Sequence, residues 1–190
     1  DYRGLFLSDP TPPPVVTLAV LPFTGSAGEG EIFTDGLIES LMGTLKKVRG
    51  LRVIDRNSSR RASQDAVDPV AAGRRLNADK ILTGAVTQAN DELVFEAELT
   101  DVATSAKVWS GQFRQPVSES SQLPREITEA VAKTLHYELS EKEKARISKR
   151  PTENAEAYNL YLKGRYYWNK RTAPDILRSV EFFKQAVDLD

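Results

Sequence analysis

The first place in this chain where chemistry could be built is a run of glycines between an apolar segment and a helical pattern. LAVLPFTGSAGEGE, residues 18–31, carries Gly25, Gly28 and Gly30. A strand, a glycine-rich loop and a helix N-terminus are the parts of nucleotide sites, because free backbone N–H groups there attract anions. A phosphate-binding loop also needs a lysine and a hydroxyl directly after its last glycine. Glu31 and Ile32 stand there instead. Glu29 and Glu31 satisfy the helix dipole themselves and repel phosphate. The stretch reads as a surface loop, with Gly25, Gly28 and Gly30 retained as anion-binding candidates.

A basic cluster, Arg49, Arg52, Arg56, Arg60 and Arg61, lies around the next apolar stretch and the loop expected after it. Arg56, Arg60 and Arg61 could meet phosphate or an acidic partner by bidentate pairing; a solvated face balanced by nearby acids is the plainer reading. Arg60-Arg61-Ala62-Ser63 also fits a basophilic kinase target. His136 is the only histidine and there is no cysteine, so neither a triad nor a thiolate zinc site can be assembled. His136 reads as a structural residue within a helix, Asp35 as a partner for local backbone, and Trp109 as a sheet-face aromatic. No loop of alternating acids suits a carboxylate-only metal site. The sequence therefore names no catalytic residue, no metal site and no cofactor.

Charge excludes a general attraction to nucleic acid or anionic lipid, since 26 lysines and arginines face 27 aspartates and glutamates. No run approaches the roughly 18 apolar residues of a membrane span, and the N-terminus has no signal pattern. The 190 residues suffice for one domain and part of another.

The elements that would position these residues follow from periodicity. DYRGLFLSDPTPPP is stiffened by three consecutive prolines and reads as a linker over residues 1–14. VVTLAVLPF suits a strand buried on both faces. Glu31 to Val48 places Ile32, Phe33, Leu37, Ile38, Leu41, Leu45 and Val48 at helical spacing, with Gly50 as its stop. LRVIDR is a short second strand and DPVAAGRRL a short second helix with Pro69 in its first turn. Three strands then form a meander, in which Leu93, Phe95, Ala97 and Leu99 alternate with polar residues and turns fall at 89–91 and 103–105. Leu123 to Leu139 is a closing helix with Ile127, Ala130, Val131, Thr134 and Leu135 on one face. The predicted organisation is a linker over 1–14, an α/β domain over 15–139 with a mixed sheet of about five strands and flanking helices, a charged connector over 140–153, helical in its first half and largely without core residues, and a helical hairpin over 154–190.

The last segment, AYNLYLKGRYYWNKRTAPDILRSVEFFKQAVDLD, resembles a tetratricopeptide repeat (TPR): Gly164 and Tyr167 fit its first helix, and Ser179, Phe183 and Ala186 its second. The interval from Gly164 to Ser179 is about three residues longer than usual. A single repeat cannot bury its own face, so the chain looks cut from a longer array. Tyr158, Tyr161, Tyr166, Tyr167 and Trp168 crowd its first helix; they pack against neighbouring elements or form a peptide-binding concavity.

LAVLPF, FTDGLIESLMGTLKKVRGLRVIDRNSS, NADKILTG and TDVATSAKVWSGQF, in this order over residues 15–139, resemble the TolB-like domain family, related by fold to the N-terminal domain of TolB and to FlgO-like and CsgG-like envelope proteins. The resemblance implies a bacterial origin. It implies a missing upstream part, a CadC-like winged-helix domain, a serine/threonine kinase or an adenylate cyclase, followed by one membrane span, with residues 1–14 juxtamembrane. It also implies a non-catalytic interaction or sensory module on the periplasmic, or otherwise extracytoplasmic, side of the inner membrane, coupling that span to protein binding through the TPR region. The fragment would be no enzyme. Its expected partner is a protein, with a small ligand or a homodimer left open and no direct nucleic-acid contact. A ligand-binding domain using the Gly25–Gly30 loop and a structural envelope-assembly domain are the alternatives.

Overall fold

The computed structural model describes residues 14–25, 29–150 and 152–190. The expected linker, apart from Pro14, and the candidate Gly28 lie outside the described residues.

One mixed sheet organises the chain. Its order is β3 (Leu51–Val53), β1 (Val16–Val20), β4 (Lys80–Ala89), β5 (Glu92–Asp101) and β6 (Lys107–Pro116), with the two-residue β2 (Thr24–Gly25) paired to β4. The neighbours of β1 run parallel to it and the meander β4–β5–β6 is antiparallel, which is the mixed α/β architecture expected, five strands plus one short addition. Successive residues of β1 point to opposite faces, and both faces are covered. Leu18 and Val20 join the core beneath α1 (Glu29–Leu45) and α4 (Leu123–Thr134). Ala19 and the following Leu21 join a second cluster beneath α2 (Arg56–Asp65) and α3 (Pro69–Arg75). A strand covered twice must be apolar at every position, hence the unbroken run. Beyond the start of β4, where Ile81 joins the second cluster and Leu82 the first, the meander is covered once. Leu93, Phe95, Ala97 and Leu99 face α1 and α4, while the outer side carries polar groups such as Gln112, whose Nε2 donates to Glu96 Oε1 at 2.8 Å. Its turns fall at Asn90 and Ser105, with φ of 55° and 59°, in the left-handed region that asparagine tolerates best of the non-glycine residues.

Three local expectations change. Residues 56–65 form a helix rather than a loop. Asp55 caps α2 by accepting from Ser58 N at 2.9 Å, and its buried residues are Ser59 and Ala62, small side chains that leave no apolar stripe to read. The closing helix stops at Thr134, so His136 is not helical. It sits at φ 57°, donating its N–H to Lys133 O, while Tyr137 N reaches back to Ala132 O at 2.9 Å. This C-cap closes the last turn and lays the Tyr137 ring over Gly50. The charged connector is helical in its first half, as α5 (Glu141–Ser148), started by a capping box of Ser140 and Glu143, and the change lies in its packing. It contributes buried residues: Ile147 is buried, and the half of Glu143 not used in the cap accepts from Arg49 N at 2.8 Å.

The last two helices, α6 (Ala155–Lys170) and α7 (Ala173–Leu189), form the expected hairpin, turning through Arg171 at φ 59°. Asn154 and Thr172 cap them. The helices touch where Gly164 meets the Phe183 ring; a Cβ at Gly164 would lie 2.5 Å from Phe183 Cε1. The hairpin does not stand apart from the α/β layer. α6 lies on α1, with Leu162 fully buried against Gly36, where an added Cβ would come 2.7 Å from Leu162 Cβ and 3.0 Å from its Cα. Burying one leucine in this way contributes about 1.5–3 kcal/mol.

Candidate functional site

The chain leaves β1 for β3 across one face of the sheet and leaves β3 for β4 across the other. The carboxyl ends of β1 and β3 therefore flank a switch point, where onward connections part and a crevice opens. A cavity of about 510 Å³ occupies it. Its floor is Val20, Leu21 and Phe23, the last packed on Phe95 with ring centroids 5.0 Å apart. One wall is α1, through Thr34, Ile38 and Met42; the opposite wall is α2, through Ser59, Arg60 and Ser63; the C-terminal end of α6 closes the third side with Tyr166, Asn169 and Lys170. The cavity exists in this form because α6 is docked on α1.

Charges around it are arranged as a chain. Arg56, at the start of α2, pairs with Asp35 and with Glu39 of α1, reaching Glu39 Oε2 at 3.3 Å, and also donates to the Asp35 carbonyl. Glu39 holds Arg165 of α6 through its other oxygen. Three helices are thus tied by Asp35–Arg56–Glu39–Arg165. Burial, aided by the neighbouring Arg60 and Arg165, lowers the Arg56 guanidinium to about 10, so it remains charged at neutral pH. Arg60 is exposed and has no ion pair among the described residues. Lys170 lies over the Tyr166 ring, 4.5 Å from its centroid, and contact with that side chain raises its pKa.

The polar lining is incompletely paired. Ser59 Oγ, Ser63 Oγ and Asn169 Nδ2 are buried and have no hydrogen-bond partner, and Ser59 is only 1% exposed. An unsatisfied buried donor or acceptor costs about 1–3 kcal/mol. Three such atoms therefore make an expensive wall unless something with matching acceptors or donors enters.

The structure separates the residues singled out in the sequence. Gly25, Arg56, Arg60 and Tyr166 come together at the cavity; Gly30 lies in the first turn of α1 and Arg61 is exposed away from it. Arg49 and Arg52 are engaged elsewhere, Arg52 Nη2 donating to Thr17 Oγ1 at 3.0 Å. Asp35 is the carboxylate partner of Arg56, more than a local backbone acceptor. Trp109 is half-buried on the sheet beside Phe113. Ser63 sits within a helix with its hydroxyl buried at the cavity wall, a placement that withholds it from a kinase. The five aromatics do not share one surface. Tyr158 is buried against α1, its hydroxyl donating to Ser40 Oγ at 3.3 Å, and burial pushes its pKa up to about 12. Tyr161 packs between Tyr158 and Phe183, Tyr167 stacks on Phe182 at 5.5 Å, and Trp168 is exposed beside Arg171. Ser59, Thr34, Asn169 and Lys170 carry no sequence signal; they are found only once the switch point and the docked hairpin are known. Among the described residues no group of acidic, histidine or cysteine side chains could hold a metal ion, and no helix is long and apolar enough to cross a membrane.

Residues 15–133 match the family described as HilA/YgeH-like transcriptional regulator, second domain. A protein of Rhizobium meliloti (strain 1021) named "Putative adenylate cyclase 3" is 30% identical over 160 residues, 81% of this chain and 27% of that protein. TolB from Acinetobacter baumannii superposes with a TM-score of 0.50 at 16% identity, covering 64% of this chain and 28% of that one, which shows a shared fold. Lipoprotein GNA1162 from Neisseria meningitidis gives a TM-score of 0.45 at 20% identity, over 66% of this chain and 99% of that one. The chain spans little more than a quarter of the cyclase-named relative and of TolB.

Proposed function

From the premise that this chain belongs to the HilA/YgeH-like transcriptional regulator second-domain family, we propose that it is a non-catalytic interaction and sensory module of a larger bacterial regulatory protein. In this reading an output domain, winged-helix, kinase or cyclase, lies upstream with a single membrane span. The α/β domain stands on the extracytoplasmic side, and the hairpin is the first TPR of an array that binds a protein partner. The observation that carries it is the seating of α6 on α1 through Gly36 and Leu162. A partner held by the hairpin acts directly on the helix that follows β1, and differential affinity for docked and undocked states is what a sensor needs. The outer side of α7, with Leu177, Val180 and Val187 exposed, supports a protein partner.

The test is photo-crosslinking in cells that produce the full-length protein, with a photoreactive residue at Leu177 or Val187 and, as control, at Asn57 on exposed α2. The reading expects a discrete crosslinked protein, another species or a second copy, from the α7 positions and none from Asn57. Equal or absent crosslinking at all three would contradict it.

A further inference from the structure

The cavity makes the sensory reading chemically specific. Resting on that reading, we propose that the switch-point cavity binds a small organic anion, an apolar body carrying one carboxylate or phosphate head, with the head held between α2 and the end of α6.

The size suits such a molecule, since ligand pockets run from about 300 to 1,000 Å³ and this one holds about 510 Å³. The body would rest on Val20, Leu21, Ile38 and Met42, the apolar part of the floor and of the α1 wall. The head is specified by the other side. Asn169 Nδ2 is a donor without an acceptor, and the hydroxyls of Ser59 and Ser63, four residues apart on one face of α2, are equally unpartnered. An ordinary protein group does not answer all three; an oxyanion, with two or three oxygens, can.

Charge points the same way. Among the described residues, the charged groups lining the cavity are Glu31, Asp35, Arg56, Arg60 and Lys170. Asp35 and Arg56 neutralise one another. That leaves Arg60 and Lys170 against Glu31, a net positive mouth with one guanidinium having no acid of its own among the described residues. The glycine-rich segment is not the anion's cradle in this scheme. Its first glycine contributes only to the rim, and the donors come from side chains of α2 and α6. Because these two helices belong to different layers, an occupant bridges them and favours the docked hairpin, which is how occupancy would reach the partner-binding helices.

The experiment is a chemical-shift titration of the 190-residue protein with phenyl phosphate and with benzoate, which separate the two head chemistries, and with benzylammonium and benzyl alcohol as a cation and a neutral molecule of similar shape. The expected result is saturable shifts of amides in 20–25, 59–64 and 166–170 with at least one of the two anions. Binding of benzylammonium and benzyl alcohol should be weaker by about tenfold or more, as the loss of one charge-assisted hydrogen bond implies. Arg60→Gln, an exposed change that leaves folding intact, should weaken the anion by about tenfold, and Ser63→Leu should block it by filling the cavity. No saturable shift with either anion, shifts mapping to another surface, or equal binding of the cation would each overturn the proposal. The crosslinking described above separates the two levels: crosslinks retained without anion binding overturn the site and leave the interaction module standing. Anion binding that leaves α7 crosslinking unchanged when the ligand is added keeps the site and removes its sensory role.

Discussion

α6 and α7 are of nearly equal length, 16 and 17 residues, and each is capped by a polar side chain, Asn154 and Thr172, yet only one is finished as a protein interior. α6 buries Ala157, Tyr158, Leu162 and Gly164, between α7 on one side and α1 on the other. α7 buries only Ser179 and leaves Leu177, Val180, Val187 and Leu189 open. A repeat hairpin supplies a face for each neighbour. Here the inner face is packed on α1, and the outer face, with its apolar side chains exposed, is the one the proposed partner would meet. The hairpin is therefore, in this structure, a wall of the cavity through α6, while the binding role proposed for it falls to α7.

The sharpest way to break this comparison is to make one substitution on both helices. Leu162→Ala removes a fully buried side chain and should cost about 3 kcal/mol, whereas Leu177→Ala, 68% exposed, should stay within about 0.5 kcal/mol. Urea unfolding followed by tryptophan fluorescence measures both; similar costs would mean that α6 is no better anchored than α7.

A smaller effect is expected from Gly36→Leu, which pushes α6 off α1 while leaving the sheet intact, at about 1–3 kcal/mol. Tyr158 reports it. Its folded pKa is raised to about 12 by burial against α1, so its neutral form is the one the docked state favours. Stability from this group is complete below the ordinary tyrosine value of about 10 and is lost as pH rises from there through the folded value. Absorbance of tyrosinate at alkaline pH should show one tyrosine lagging the others in the wild type, and none lagging in Gly36→Leu. A lagging tyrosine in both would show that docking survives the substitution.

The smallest change should come from Ser59→Val. Where the hydroxyl has no partner, its removal frees the wall of an unsatisfied group, so the unliganded protein should be unchanged or stabilised by up to about 1 kcal/mol. Loss of more than that would mean the hydroxyl has a structural partner and the wall is already complete.

How far these features were legible in the sequence depends on what covers each segment. VVTLAVLPF declared a doubly covered strand because both faces need apolar residues, and Leu93, Phe95, Ala97 and Leu99 declared a singly covered one. The hairpin showed through its small residues and aromatics. α2 did not, because its buried side is serine and alanine, and a polar helix lying over small side chains shows no apolar stripe. The cavity was illegible for a related reason. Its donors come from α2 and from the last turn of α6, more than 100 positions apart, and only the switch of connections after β1 and β3 with the docking of α6 brings them to one place. The glycine-rich stretch, the most conspicuous text in the chain, contributes Gly25 to the rim, with Gly30 standing in the first turn of α1.

α6 closes the switch-point cavity, and the proposed anion, held there, would tighten its docking. Hydrogen–deuterium exchange of the protein with and without whichever of phenyl phosphate and benzoate binds decides whether it does. Slower exchange is expected in α2 and across α6 when the anion is present, with β4–β6 unchanged. Slowing confined to the α/β helices, or exchange in α6 unaltered at saturation, would contradict it.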